Sequence, residues 1–322
     1  MDITVIVPTY KRPDDLRRCL EALKRQTLPA ARVNVIRRDI DSATEAMLAA
    51  YDPGALPMRV HVVAVPGVVE ALNAGLAQAV GDAVAMTDDD AAPHPDWLER
   101  IAGHFSADAR AGGVGGRDRI FQGDRKDDWP PDARVGVSSW FGRPYGNHHC
   151  GVGPAREVEQ LKGVCMAFRR AAIGALRFDR RLLGAGAQVF NESLFGGAIR
   201  RAGWKLIYDP AILVDHYPSV RPDSDQRGQI DRKALREAIH NSTLGHLEYM
   251  PPARSTALLL YQLVWGSRQA PGVAAAIVYT LRGERMALYG LREVALGMFG
   301  GFAAFWRTRN VDVAERRAQP YG

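Results

Sequence analysis

Apolar runs of two different periods alternate along the first 120 residues, and nothing else in the chain restricts its fold as strongly. Ile3-Thr4-Val5-Ile6-Val7 is a continuous β-rich run, the pattern of a strand covered on both faces. Pro13-Asp14-Asp15 and an apolar stripe at Leu16, Leu20 and Leu23 follow it. They predict a helix with proline near its first turn and acids at its positive end. Residues 33–36 and 59–65 predict the second and third strands, 69–80 an amphipathic helix and 82–86 the fourth strand. A helix over 95–105 leads to a strand over 113–120. This alternation predicts an α/β fold with a doubly wound, mostly parallel sheet and right-handed crossovers.

The rhythm stops at residues 121–155, which are rich in Gly, Pro, Asp and aromatics and show no period. A stretch this long in a compact domain reads as a binding loop or lid. Regularity returns with a strand over 158–168, a helix over 190–202 and strands over 205–208 and 212–214. From 226 to 309 the chain reads as helical.

Charge is distributed unevenly. The formal net charge is +6, and residues 251–322, with nine Arg and four acids, hold most of that excess. No aromatic-basic stacking module accompanies the arginines, so nucleic acid is not an expected partner. The apolar runs at 255–267, 271–281 and 294–306 are each shorter than the roughly 20 residues of a spanning helix. They suit helices that lie on an anionic membrane surface, or that pack on the rest of the chain or on a second subunit as a homodimer. Three scattered cysteines, Cys19, Cys150 and Cys165, make no disulfide frame or CxxC site. With a strand at the very start and no leader pattern, a cytoplasmic setting is expected, peripheral to the inner face of the membrane if the helices bind it.

The chemistry concentrates where strands run out. Thr87-Asp88-Asp89-Asp90 follows the fourth strand. Three adjacent carboxylates repel one another and are costly to desolvate, which a divalent cation would relieve, whereas a solvated helix cap would simply tolerate them. Pro8-Thr9-Tyr10-Lys11-Arg12 follows the first strand in an anion-binding position. Asp39-Ile40-Asp41-Ser42 follows the second, either to accept hydrogen bonds from a base or ribose or to cap a helix. Asn73 and Gly75 read equally as core or cap residues. Asn147-His148-His149-Cys150 contains ligand types but no zinc spacing, and reads as part of the mobile loop.

Together these segments resemble the family-2 inverting glycosyltransferases of the GT-A, nucleotide-diphospho-sugar transferase-like, fold. Val5 to Arg12 is similar to that family's opening strand and turn. Ala71-Leu72-Asn73-Ala74-Gly75, Gly81-Asp82 and Met86 to Asp90 resemble its central helix and DXD strand. His94-Pro95-Asp96-Trp97-Leu98, Leu161-Lys162-Gly163, Met166 to Arg170, Arg200 to Lys205 and Val214-Asp215-His216 extend the likeness.

The resemblance implies a catalytic domain over 1–222, with a nucleotide-sugar half at 1–120 and an acceptor half at 121–222, followed by a helical region at 223–322. It implies that Pro8, Thr9, Tyr10, Arg12, Asp39, Asn73, Asp88 and Asp89 serve a UDP, dTDP or GDP sugar. Asp90 and His216 would hold Mg²⁺ or Mn²⁺, and Gly163, Trp140 and Asn191 would face the acceptor. The family commonly places Glu-Asp at the start of its last helix. Asn191-Glu192 stands there instead, which makes Glu192 the expected general base. The implied activity moves one sugar to a saccharide or lipid-linked acceptor in polysaccharide or glycoconjugate synthesis. Three other readings compete. A sugar-1-phosphate nucleotidyltransferase would need a Gly-rich loop after the first strand, and a processive synthase a Gln-x-x-Arg-Trp motif. A non-catalytic, membrane-associated scaffold with a degenerate site would need neither.

Overall fold

The computed structural model describes residues 1–139, 144–220, 231–284 and 286–311. Its first half runs β1 (Ile3–Thr9), α1 (Pro13–Lys24), β2 (Arg32–Arg38), α2 (Ser42–Ala49), β3 (Met58–Val63), α3 (Val68–Ala77), β4 (Ala83–Met86), β5 (Ala91–Pro93), α4 (Trp97–Ala107) and β6 (Ala111–Gln122). The short strands β7 (Arg125–Lys126), β8 (Val137–Ser138), β9 (Pro144–Tyr145) and β10 (Arg156–Val158) follow, then β11 (Met166–Arg169) and α5 (Arg170–Ile173). The chain continues through α6 (Asn191–Arg201), β12 (Lys205–His216), α7 (Arg232–Tyr249), α8 (Pro252–Val264), α9 (Val273–Leu281) and α10 (Met286–Thr308).

The strands make one open sheet in the order β10-β12-β6-β11-β4-β1-β2-β3, with β5 paired to β12 and β7 to β6. The half from β4 to β3 is wholly parallel. β11 lies antiparallel between β4 and β6, so the complete sheet is mixed. Side chains alternate through its plane. Val5, Val7, Val33 and Val35 point to one face, where they pack with Leu16, Leu20 and Leu23 of α1 and Trp97, Ile101 and Phe105 of α4. Ile6, Ile36, Val84 and Met86 point to the other, against Leu72 and Leu76 of α3 and Phe195 of α6. Each such side chain, fully removed from water, contributes about 1.5–3 kcal/mol, which is why β1 and β4 are apolar on both faces along most of their length. Gly75 lets α3 close on β1: a Cβ there would sit 2.6 Å from Ile6 Cγ2.

Several local expectations are revised. The strand expected over 158–168 is two strands, β10 and β11, separated by a turn in which Lys162 bridges Cys165. The segments at 205–208 and 212–214 form the single strand β12, whose register against β6 shifts between Asp209 and Leu213. α2 was not evident from periodicity, because its one turn of apolar residues is too short; Asp41 caps it by accepting from Thr44 N at 3.1 Å. The His148–Cys150 turn is packed rather than loose: His148 and Cys150 are each 5% exposed, and Nε2 of His148 donates to the Gln160 carbonyl at 3.1 Å.

Candidate active site

The carboxyl ends of β1, β2 and β4 open on one cleft of about 250 Å³. Such a strand-end crevice is where open α/β sheets bind ligands. Pro8, Thr9, Tyr10 and Arg12 line it from the turn after β1. That turn is held by Asp41, which accepts from Lys11 N at 2.5 Å while Lys11 adopts a φ of 56°.

β5 brings the next set of residues together. It pairs with the end of β12, setting His216 opposite Ala91, and Tyr217 N donates to the Asp90 carbonyl at 2.8 Å. One ligand atom from each of Asp88, Asp90 and His216 therefore lies within 4.8 Å of the others. Asp90 Oδ1 and both ring nitrogens of His216 are buried without hydrogen-bond partners. Two carboxylates and an imidazole that bring one ligand atom each this close together fit a divalent cation.

Neighbouring charges tune the group. Burial, the largest influence, pushes Asp90 up, but His216 at 3.5 Å, Arg12 at 3.0 Å and the Ser219 amide outweigh it and hold the carboxyl at about 2. Asp90 is thus ionised, the form that ligates. Burial pushes Asp89 up to about 8, only partly opposed by Arg12 at 2.7 Å. Asp118 is fully buried on the far side of His216, 3.5 Å from Nδ1, and is ion-paired with Lys162. Burial raises Asp118 as well, yet His216 and Lys162 bring it down to about 2.

The expected residues separate into two groups. Pro8, Thr9, Tyr10, Arg12, Asp88, Asp90, Gly163, Asn191, Glu192 and His216 all line the cleft. Asp39, Asn73 and Asp89 are not among its lining residues. Asp39 stands exposed at the end of β2, beside cleft-lining Arg38. Asn73 bonds both ways to the Phe178 backbone, Nδ2 to the carbonyl at 3.0 Å and Oδ1 from N at 2.7 Å, tying α3 to the segment before α6. Asp89 lies beneath the floor, fully buried and 2.7 Å from Arg12. Trp140 lies outside the described residues.

Glu192 occupies the first turn of α6, half-buried, on the cleft wall formed by Ala185 to Asn191. That wall is anchored from two sides. Val68 N donates to the Gly186 carbonyl at 2.9 Å and Val69 N to Gln188 Oε1 at 3.0 Å. From α7, Asn241 accepts from Leu183 N at 2.8 Å and donates to the Leu183 and Val189 carbonyls. Sequence reasoning passed over Arg38, Asp118 and Asn241. For Asp118 a signal existed: it is the lone acid of its strand, set between Arg117 and Arg119, and a carboxylate buried there must find a partner.

Residues 4–176 match the profile described as glycosyl transferase family 2. The chain belongs to this family. The pre-mycofactocin glycosyltransferase of Mycobacterium tuberculosis is 25% identical over 304 residues, covering 89% of this chain and 57% of the relative. The chain spans 33% to 57% of the length of the curated relatives it matches. A mannosyltransferase from Pyrobaculum calidifontis, solved with GDP-Man and Mn²⁺, has a TM-score of 0.56 at 18% identity, over 92% of this chain and 86% of its own. S. aureus TarS 1-349, solved with UDP-GlcNAc, has a TM-score of 0.59 at 13% identity, over 98% and 89%. At these identities the likeness shows the fold: the family-2 chain has the mixed, open GT-A sheet and carries a helical C-terminal region.

Proposed function

We propose that this chain transfers one sugar from a nucleotide-sugar donor, with inversion at the anomeric carbon, to a hydroxyl of a saccharide or lipid-linked acceptor. The observation that carries the reading is the meeting of Asp88, Asp90 and His216 with Glu192 on one cleft, beside the turn from Thr9 to Arg12. GDP-Man and UDP-GlcNAc in the structural neighbours support a nucleotide-sugar donor of the UDP, dTDP or GDP type.

Asp88, Asp90 and His216 would hold Mg²⁺ or Mn²⁺, with Mn²⁺ favoured by the neighbour solved with it. A bound cation would supply positive charge to offset the charge growing on the departing diphosphate. Glu192 accepts the proton of the acceptor hydroxyl as that oxygen bonds to the anomeric carbon. The bond from that carbon to the diphosphate oxygen breaks, and its electron pair leaves with the nucleoside diphosphate. Arg12 and Lys162 place fixed positive charge at the cleft while keeping Asp89 and Asp118 paired.

Glu192→Gln keeps the shape and removes the base. We expect kcat for transfer to fall by about 10²–10⁴ with nucleotide-sugar affinity retained. Unchanged kcat in a chain that binds donor would remove Glu192 from this role. Donor binding without turnover by either form, with any acceptor, would favour the scaffold reading.

A further inference from the structure

Of the 22 large hydrophobic side chains exposed among the described residues, 14 fall between Leu260 and Trp306. Isolated exposed apolar residues are ordinary, but a concentration of this kind marks an interaction surface. The three helices that carry them are neighbours, with α9 packed on both α8 and α10. Val273, Ile277 and Leu281 recur every four residues along α9, so one whole stripe of that helix is unburied. At the end of α8, Leu260, Tyr261 and Trp265 are about half exposed, and on α10 Phe299 is 75% exposed.

The charge around this face identifies its occupant. Residues 251–311 contain seven arginines, no lysine and two acids. Both acids are paired: Glu293, 2% exposed, lies 2.6 Å from Arg236, and Glu284 lies 3.5 Å from Arg268. The side chains of Arg268 and Arg292 are 78% and 69% exposed. Arg282, Arg307 and Arg309 are exposed too, with Arg309 stacked 4.0 Å from the Trp306 ring centroid. A second copy of the chain would bring one arginine rim against another, which costs association energy. No described helix is long and apolar enough to cross a membrane. An anionic lipid surface satisfies both halves of the pattern: apolar side chains enter the headgroup boundary while arginines reach the phosphates.

We propose that α8, α9 and α10 form a docking face for an anionic lipid surface. Such docking uses no cleft residue and stands or falls apart from the transferase reading.

The test is co-sedimentation of the full chain with phosphatidylcholine vesicles, alone or mixed with phosphatidylglycerol. Binding to the anionic vesicles is expected to be at least about tenfold stronger, and to weaken as salt screens the arginines. Leu260→Glu/Ile277→Glu/Phe299→Glu should abolish sedimentation without lowering nucleotide-sugar hydrolysis. Arg268→Ala/Arg292→Ala, which leaves the apolar face untouched, should reduce the preference for anionic vesicles. The proposal is overturned by equal binding to both vesicle types or by binding to neither. It is equally overturned by a dimer in sedimentation that the Glu variant dissolves.

Discussion

At the scale of single residues, the carboxylates of the candidate site are controlled by what lies behind them. Asp90 and Asp118 flank His216, and each has its own cation, Arg12 and Lys162. The same reasoning applies to a buried histidine outside the cleft. Burial pushes His148 down to about 4 from 6.5, so the native chain keeps it neutral, bonded to the Gln160 carbonyl. As pH falls from 6.5 toward 4, the unfolded chain takes up a proton that the folded chain refuses, and stability is lost. The loss should reach about 1–3 kcal/mol across that window, and be absent above it. Urea midpoints of wild type and His148→Gln at a series of pH values check this. Parallel pH dependence in the two proteins would show that His148 contributes nothing to it.

At the scale of elements, α7 joins the C-terminal helices to the cleft. It contacts the cleft wall through Asn241 and packs against α10, whose facing residues are small. A Cβ at Gly297 or Gly301 of α10 would lie 2.6 Å from the backbone oxygen of Arg236 or His240. Backbone cannot yield as a side chain can. Gly301→Ala should therefore destabilise by about 1–3 kcal/mol despite alanine's higher helix propensity. Gly103 in α4 has nothing within 4 Å of an added Cβ, so Gly103→Ala should stabilise by about 0.5–1 kcal/mol. Opposite signs in urea melts are the expected result. A pair of the same sign would mean that the α7–α10 approach is looser than described. Nearby, Arg181, 2% exposed, is shared by Asp179 and Glu248, and bonds Thr308 at the end of α10.

At the scale of the whole molecule, donor, metal and fold are linked, because anything that binds only the folded cleft raises stability. A nucleotide sugar with Mn²⁺ should raise the melting temperature more than either alone, by an amount that grows with concentration. Asp90→Ala should lose the metal-dependent part of that rise; its full retention would place the metal elsewhere. The sequence by itself determined the alternation of strands and helices, the acidic triplet at a strand end and the turn at Thr9 to Arg12. These are local patterns, set by periodicity and by what a strand terminus can present. It also brought out the Asn191-Glu192 departure, since that needs only a position relative to a helix start. The family resemblance paired His216 with Asp90, but the contact itself is made by tertiary structure, because it depends on β5 adding antiparallel to β12. Only the tertiary structure assigned Asp41 to the turn after β1, and Asn73 to Phe178 instead of the cleft. Partners 30 or 105 residues apart are chosen by strand register and crossover path, which no single stretch of chain encodes.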